Sequence, residues 1–223
     1  YKLENDTAHL AAKEQSFYTG RYHIYDPEKK FKPLVFNDVL VFKPGDIYKR
    51  SDHNLSLNRL ISLGMYKFVK ARFTETDSAG MPLLDAYYYL TPLPRQSLRF
   101  EVSGLSKSNN STGTELSLSW RSRNTFHHAE ILSATVFGGF EKQIAAQQPT
   151  VNTNRLGVEL SLTIPRIIGP YRVSAKSNFV PQTKFLTGYE WFYRNTQYTL
   201  NSFKASFSYI WRESILKEHR LDI

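Results

Sequence analysis

The chain has 223 residues with 29 Lys or Arg, 20 Asp or Glu and no cysteine. This length allows one large domain or two small ones, and the missing cysteine excludes a disulfide framework and a thiolate metal site within it. The charge of +9 is uneven: residues 1–94 carry 13 basic and 11 acidic side chains, and residues 95–223 carry 16 and 9. The basic residues stand singly along alternating segments, which argues against nucleic acid as the partner.

Residues 17–94 mix helical and strand patterns, after a stretch 1–16 that we interpret as the end of a preceding segment. A short strand is predicted in "FYTGRYHIYD". The next segment, "KPLVFNDVLVF", is ambiguous: its β-branched content favours a strand, whereas Pro33 and a four-residue apolar repeat favour a helix. No stretch reaches the ~18 apolar residues of a membrane helix. Because the chain starts at Tyr1 without Met, we expect a fragment of a longer protein.

A second helix is predicted more clearly in "SDHNLSLNRLISLG". Ser51 is a candidate N-cap, Leu57, Leu60 and Ile61 repeat at helical spacing, and Gly64 suits the C-terminal cap. A hairpin follows, with "MYKFVKARFTET" and "LLDAYYYLT" as its strands and "DSAGMP" as its turn. The predicted order is therefore strand, helix, helix, strand, strand.

A boundary is predicted at "PLPRQ", because Pro92 and Pro94 stand too close together for a central strand. From Ser97 onward the period becomes two, and about six antiparallel strands of roughly ten residues follow. That is the length with which a tilted strand crosses a bilayer. The polar segment "SKSNNSTG" is predicted as the turn between the first two of them.

A soluble β-sandwich also alternates, so two architectures remain open for this second region. The runs are longer than the five or six residues that are typical of soluble strands. Aromatic residues stand near the strand ends, as in membrane-interface girdles, and the opposite faces mix small polar residues with single charges, as a wet lumen would. In hydrocarbon such strands require a closed barrel. The aromatic residues are Trp120, Trp191, Tyr193, Tyr209 and Trp211.

The segment "PGDIYKRSDHNLSLNRLISLGMYKFVKARF" resembles the last POTRA (polypeptide-transport-associated) repeat of the BamA/TamA superfamily of outer-membrane assembly proteins. The resemblance is carried by a glycine turn with a following tyrosine, and by a helix that ends in Leu-Gly before an aromatic residue. It implies that residues 33–42 form the first helix. The matching residues are Gly45, Tyr48, Leu60, Leu63, Gly64 and Tyr66.

The second region is similar to the same family. "SRNTFHHAE" is similar to its Arg-Asn-x-Phe-x-x-x-Glu turn, carried here by Arg123, Asn124, Phe126 and Glu130. "GGFEKQ" resembles the end of the family's third barrel strand, and "LTPLPRQSLRFEVSG" resembles the junction in the TamL-like lipoprotein branch of Bacteroidetes. The family's lumen loop with an Arg-Gly-aromatic signature and the branch's lipidated cysteine have no match, and we expect both outside this fragment.

The resemblance implies an α+β POTRA domain over 17–94, in the periplasm, followed over 95–223 by the first antiparallel strands of a transmembrane β-barrel in the bacterial outer membrane. The implied function is assembly: insertion or translocation of envelope proteins without nucleotide hydrolysis. The implied partners are outer-membrane lipid, unfolded outer-membrane protein clients, and a periplasmic accessory protein that is TamB-like or a BAM lipoprotein. A passive transport barrel and a soluble basic ligand-binding sandwich are the alternatives.

The resemblance also implies that "SLRFEVSG" is the first barrel strand, which meets the last strand at a weak seam and templates client strands. The Gly104 break is compatible with a weak edge. The exposed edge of the POTRA sheet, at "YKFVKARF" or its neighbour, is a second candidate for binding an extended client. The seam residues are Leu98, Arg99, Phe100, Glu101, Val102 and Gly104.

Enzymatic chemistry is not predicted. His127 and His128 are adjacent and point apart on a strand, so they are poor co-ligands for one metal, and a solvated turn is the interpretation we favour. Serines lie on polar faces without a placed histidine and carboxylate. Gly138-Gly139 indicates a strand kink and not a phosphate loop, because no helix follows it. No cofactor is expected.

Overall fold

The computed structural model describes residues 17–19, 21–78, 81–108, 110–143, 151–169, 177–195, 197–214 and 216–223. Within them the chain forms eleven strands and two helices. The first strands, helices and hairpin are β1 (Phe17–Tyr18), β2 (His23–Ile24), α1 (Leu34–Val39), α2 (Arg50–Ser62), β3 (Tyr66–Ser78) and β4 (Met81–Pro92). The others are β5 (Gln96–Lys107), β6 (Ser111–Arg123), β7 (Ile131–Gln143), β8 (Val151–Ile164), β9 (Gln182–Arg194), β10 (Tyr198–Arg212) and β11 (Glu218–Asp222).

The helices correct two predictions. The helix implied over 33–42 spans only Leu34–Val39, because Leu40 turns extended at ψ 124°. Ser51 is not the N-cap of α2: the helix begins at Arg50, and Lys49 holds the extended cap position. The C-terminal prediction is confirmed, since Gly64 follows α2 at φ +67°, a conformation that glycine adopts without strain. Neither described helix is long and apolar enough to span a membrane.

The short strand predicted near residue 17 is instead a pair of two-residue strands, β1 and β2, which bond to each other. The predicted hairpin is present: β3 and β4 pair from Tyr66 to Met81 as a two-stranded sheet of their own. Both strands extend into the predicted turn "DSAGMP", so that only residues 79–80, outside the described residues, connect them.

From Gln96 onward the described chain forms a seven-stranded antiparallel sheet in the order β11-β10-β9-β8-β7-β6-β5. Sequence predicted about six strands; β11 is the addition, and it pairs with the end of β10. Strands β5 to β10 have 12–15 residues, longer than predicted. Gly104 does not break β5, because it pairs with Thr114 inside a continuous ladder. Gly138 and Gly139 likewise lie within β7.

The hydrophobic core lies between the two regions and not inside the large sheet. Its buried side chains come mainly from α1, α2 and the start of β3, joined by Ala129 and Val180 from loops of the second region. We call this cluster the helical core. Its other members are Val35, Phe36, Val39, Leu60, Leu63, Met65 and Tyr66. The two-stranded sheet ends and the seven-stranded sheet begins at the predicted boundary, but the helical core includes residues from both sides of it.

Candidate functional site

The seven-stranded sheet exposes one apolar face. The described chain leaves it uncovered except at one end, where residues 166–169 bond to Thr183 and Tyr209. The ladder places the apolar side chains of neighbouring strands side by side: Phe100 pairs with Leu118, Leu118 with Val136, and Val136 with Val158. Aromatic rings stand near both ends of this face, as the sequence predicted. Exposed members include Leu98, Phe100, Val102, Leu116, Leu118, Val136, Leu156, Val158, Leu160, Phe185 and Phe203.

The opposite, polar face carries paired charges. Glu115, Gly139 and Arg155 lie in one row across β6, β7 and β8, and the absent side chain of Gly139 lets the two charged groups approach each other. Arg155 reaches Glu115 at 3.4 Å and Glu190 at 2.9 Å. A second pair joins Lys107 to Glu141 at 2.6 Å. Such a face suits contact with water, because half-exposed ion pairs keep their hydration.

Aromatic side chains also stand on the polar face: Phe192 stacks on Tyr198 at 5.8 Å between ring centres, and Phe137 packs over a glycine. The ring of Phe137 lies over Gly157, where an added Cβ would meet it at 2.3 Å, so only glycine fits beneath that ring. The guanidinium of Arg155 lies 5.6 Å from the centre of the same ring. This packing fixes Arg155 between the two acidic groups and the ring.

The predicted seam strand is β5, at one edge of the sheet. It pairs only with β6 in the described residues, and every one of its residues is exposed. Leu98, Phe100 and Val102 lie on the apolar face, whereas Arg99 and Glu101 form an ion pair of 2.6 Å on the polar face. Gly104 has open space around it. The arrangement presents one row of backbone N–H and C=O groups to a further strand.

The predicted turn motif forms a tightly bonded turn, residues 124–130, which we call the docking turn. Asn124, His127 and Ala129 all have positive φ, at 58°, 69° and 62°. The buried carboxylate of Glu130, 4% exposed, accepts hydrogen bonds from the backbone N–H groups of Phe126 (3.3 Å) and His128 (3.0 Å). Asn124 Oδ1 accepts from Ala129 N at 2.9 Å. These bonds hold backbone angles that non-glycine residues rarely adopt.

The docking turn binds the first region through its backbone. Asn124 Nδ2 and His127 Nδ1 both donate to the carbonyl of Lys30, at 2.6 and 2.8 Å. Lys32 N donates to His127 O at 2.8 Å. The turn predicted for the two histidines is present, and His127 is exposed on it while also joining the two regions. The prediction of a solvated side chain is wrong for His128, which is mostly buried beside Glu130.

Two arginines, one just before the docking turn and one in α2, add hydrogen bonds to this junction. Arg123 donates from its guanidinium to Pro94 O at 3.1 Å and to Ser97 Oγ at 3.3 Å, across the predicted boundary. Arg59, in the last turn of α2, donates to Ser177 O at 3.0 Å. Phe126 stays more than half exposed at the tip. Two of the four predicted turn residues, Arg123 and Asn124, thus bond across the junction, whereas Glu130 bonds within the docking turn.

The residues predicted from the POTRA resemblance lie in the helical core or beside it. Leu60, Leu63 and Tyr66 belong to the helical core, and burial raises the pKa of the Tyr66 hydroxyl. Gly45 turns the chain after α1 at φ +87°. Tyr48 packs edge-on against Phe73 of the hairpin at 5.2 Å between ring centres.

A polar contact lies where α2 meets the inner face of the hairpin. His53 Nδ1 and Tyr88 Oη share a hydrogen bond of 2.7 Å. Burial raises the pKa of Tyr88 to about 12, and the neighbouring Tyr48 and Tyr22 add to the rise. The hydroxyl therefore stays protonated at neutral pH and bonds His53 as a neutral group. In the described part of the chain, no three His, Asp or Glu side chains gather to hold a metal ion.

Sequence reasoning missed the backbone contacts of the docking turn and the charge row at Gly139. Both depend on pairings between residues far apart in the chain. The only sequence signal for the charge row was that Glu115, Gly139 and Arg155 each fall on the polar side of an alternating run.

No protein-family model matches the chain, and no curated protein matches it. Among solved structures, it is similar to the crystal structure of BamA from Haemophilus ducreyi lacking POTRA domains 1–3, with a TM-score of 0.38 and 13% identity. The match covers 88% of this chain and 47% of that one, so the chain spans about half the length of that structure. The likeness is coarse, and the function proposed below rests on the chain's own residues.

Proposed function

We propose that the chain joins a last, periplasmic POTRA domain to the first strands of an outer-membrane β-barrel of the BamA/TamA kind, and that the protein inserts or translocates envelope proteins without nucleotide hydrolysis. The observation that carries this proposal is the uncovered apolar face of the sheet. Within the family, the junction sequence at Pro92 and Pro94 favours the TamL-like branch.

The apolar face favours a sheet placed in a membrane over a sheet surrounded by water. Leu98, Leu116 and Leu160 are 68%, 46% and 45% exposed, and each stands among further exposed apolar side chains. Soluble monomers rarely expose contiguous apolar patches of more than a few hundred Å². A soluble sandwich would need a second sheet over this face, and the described residues form no such sheet. A bilayer position, with lipid tails against the apolar face and water against the charged face, gives each face of the sheet the surroundings that its side chains require.

Assembly and passive transport differ in the part that the edge of β5 plays. Its backbone groups remain free in the described residues, and pairing with an incoming strand would satisfy the polar backbone of a client while it enters hydrocarbon. This mechanism needs no catalytic side chain. It needs an edge that opens, and a fixed connection between that edge and the domain that receives the client. The bonds from Arg123 to Pro94 and Ser97 are such a connection.

Arginine substitutions on adjacent residues test the membrane placement. In the full-length protein, Leu118→Arg should disturb folding into bilayers by about 2–4 kcal/mol, the cost of an arginine facing lipid near the midplane. Ser119→Arg, one residue on and facing the other way, should cost far less. Folding is read from heat-modifiable mobility on gels and from protease protection in liposomes. Equal effects of the two substitutions, or normal folding of both without lipid, would refute the placement.

A disulfide tests the assembly step. Glu101→Cys paired with a cysteine on the strand that closes the barrel against β5 should stop client assembly when oxidised and restore it when reduced. The matched control is Glu101→Cys with Ser117→Cys, which locks β5 to its own neighbour β6 and leaves the edge free. Normal assembly by the oxidised seam would contradict the proposal. Large substrate-specific conductance without any assembly defect on depletion would establish the transport alternative.

A further inference from the structure

Charge is divided along the β3–β4 hairpin. All its basic residues, Lys67, Lys70 and Arg72, lie in the half nearest the large sheet, and its acidic residues, Glu75, Asp77 and Asp85, lie in the half toward the tip. None of the three basic side chains forms an ion pair in the described part of the chain. The basic half is therefore open to an external anion.

The outer face of that basic half also carries aromatic rings. Phe68 is 62% exposed and pairs with Thr91, and Lys70 pairs with Tyr89. The ammonium of Lys67 lies 5.3 Å from the centre of the Phe68 ring. Basic and aromatic side chains together are the composition of surfaces at the boundary between membrane and water.

The other face of the hairpin is already occupied. Val69, Tyr88 and Leu90 pack against the helical core, so the hairpin cannot rotate to bury Phe68 without breaking that packing. No described element lies over the outer face. Its exposure is therefore fixed by the packing behind it.

The chain path brings this face near the apolar band. Leu98, the first exposed apolar residue of β5, lies only six positions after Pro92, the end of β4. Fully extended, this stretch spans at most about 22 Å. The headgroup layer is roughly 5–8 Å thick on each side of the hydrocarbon. The tip lies about 30 Å along the strands from the base, beyond the range of unscreened charge in salt.

We propose that the outer face at the base of the hairpin, Lys67, Phe68, Lys70 and Arg72, binds the anionic headgroups of phospholipids on the side of the membrane where the hairpin lies. This inference rests on the proposed function, because it needs the sheet in the bilayer. The basic groups attract the headgroups, Phe68 enters the interface, and the acidic tip is repelled. The contact holds the hairpin base at the membrane and directs its tip away.

Single cysteines carry the test, since these 223 residues contain no native one. In the full-length protein in liposomes, a fluorescent probe is placed at Thr91→Cys beside Phe68, at Thr76→Cys near the tip, and at Leu118→Cys on the apolar face. Quenching by headgroup-labelled and acyl-labelled lipids is compared in phosphatidylcholine vesicles with and without phosphatidylglycerol. We expect anionic lipid to raise headgroup quenching at Thr91 about twofold or more, and to leave Thr76 unchanged.

Two variants identify the cause. Lys67→Glu with Lys70→Glu should remove the gain at Thr91, as should about 0.5 M NaCl, which shortens the Debye length to roughly 4 Å. Lys43→Glu with Lys49→Glu makes the same change in net charge on exposed lysines before α2, and should keep the gain. An equal loss in both variants would mean that net charge alone acts, and would overturn the inference.

The remaining outcomes separate this inference from the proposed function. If acyl-labelled lipid quenches Leu118 but anionic lipid leaves Thr91 unchanged, the headgroup site is wrong while the membrane sheet stands. If Leu118 is not quenched, the proposed function fails and the inference fails with it. If soluble polyglutamate changes the Thr91 probe in phosphatidylcholine vesicles as strongly as anionic lipid does, the face binds acidic peptide, and the lipid inference is overturned.

Discussion

The two regions of this chain treat the same kinds of side chain in opposite ways. In the first region Leu60, Leu63 and Met65 are almost wholly buried, whereas in the sheet Leu98 and Leu118 lie open on a broad face. Of the ten apolar residues that are buried in the described part of the chain, only Ile164 lies on the seven strands. The leucines of the helical core exclude water by packing, whereas Leu98 and Leu118 have no such packing among the described residues.

A matched pair of leucine substitutions tests this comparison and has the largest expected effect. Leu60→Ala should destabilise the helical core by about 2–5 kcal/mol, because a buried leucine loses its transfer free energy and leaves a cavity. Leu118→Ala, the same chemical change on the apolar face, should cost less than about 1 kcal/mol, since lipid or detergent fills the space. Hydrogen exchange of α2 and β3, and of β6 and β7, measures the two effects in the full-length protein in bilayers.

The control for this pair is local: the exchange of β6 and β7 should not respond to Leu60→Ala. If Leu118→Ala instead accelerated exchange in its strands as strongly as Leu60→Ala does in α2, the apolar face would be a packed interior. A partner sheet from outside the described residues would then cover it, and the sandwich alternative would gain the support that the membrane loses.

A smaller effect is expected where the two regions meet. Asn124 has φ +58° and bonds both Ala129 N and Lys30 O through its side chain. Asn124→Ala should cost about 2–3 kcal/mol, from two lost hydrogen bonds and from an alanine held in the left-handed region. Asn124→Gly loses the bonds without that strain, and should cost roughly 1 kcal/mol less. Exchange of the Ala129 amide reports each change, about tenfold for every 1.4 kcal/mol.

Equal losses of stability in Asn124→Ala and Asn124→Gly would show that strain is not stored at this position. No change in the exchange of Ala129 in either variant would show that backbone packing holds the docking turn without its side-chain bonds. Faster exchange of the Ala129 amide with unchanged exchange of the Lys32 amide would show that the turn loosens without releasing the first region. The fold of the turn would then be independent of its docking.

Local patterns in the sequence predicted the parts that local physics determines. Period-two alternation predicted most of the large sheet, and Gly64 predicted the end of α2. Ser51 misled because an N-cap depends on where the backbone leaves the helix, and Lys49 takes that position without a side-chain hydrogen bond. The short β11 was missed because its five exposed residues carry no apolar alternation. The domain boundary and the roles of the predicted site residues remain predictions.

The docking turn and the shared core could not be predicted, for a different reason. Asn124 meets Lys30 across 94 positions of chain, and Ala129 joins a core whose other members lie mostly before residue 67. Such contacts follow from how the finished regions face each other. A turn motif with its Asn, Phe and Glu indicates that backbone groups will be held, but it does not say which distant carbonyl they will meet.

The smallest expected effect sharpens the comparison on the polar face. Glu115→Gln removes one of the two acids that flank Arg155, but Glu190 remains at 2.9 Å and water reaches all three groups. The stability of the sheet should fall by less than about 0.5 kcal/mol, as for exposed ion pairs, and the difference should vanish in high salt. Thermal unfolding in detergent, with Ser117→Ala as the uncharged control on the same strand, measures it. A loss of several kcal/mol in the free energy of unfolding would mean that water does not reach the polar face, since only a desolvated charge depends so strongly on one partner. The polar face would then be buried, and it would differ from the water-exposed surfaces of the first region.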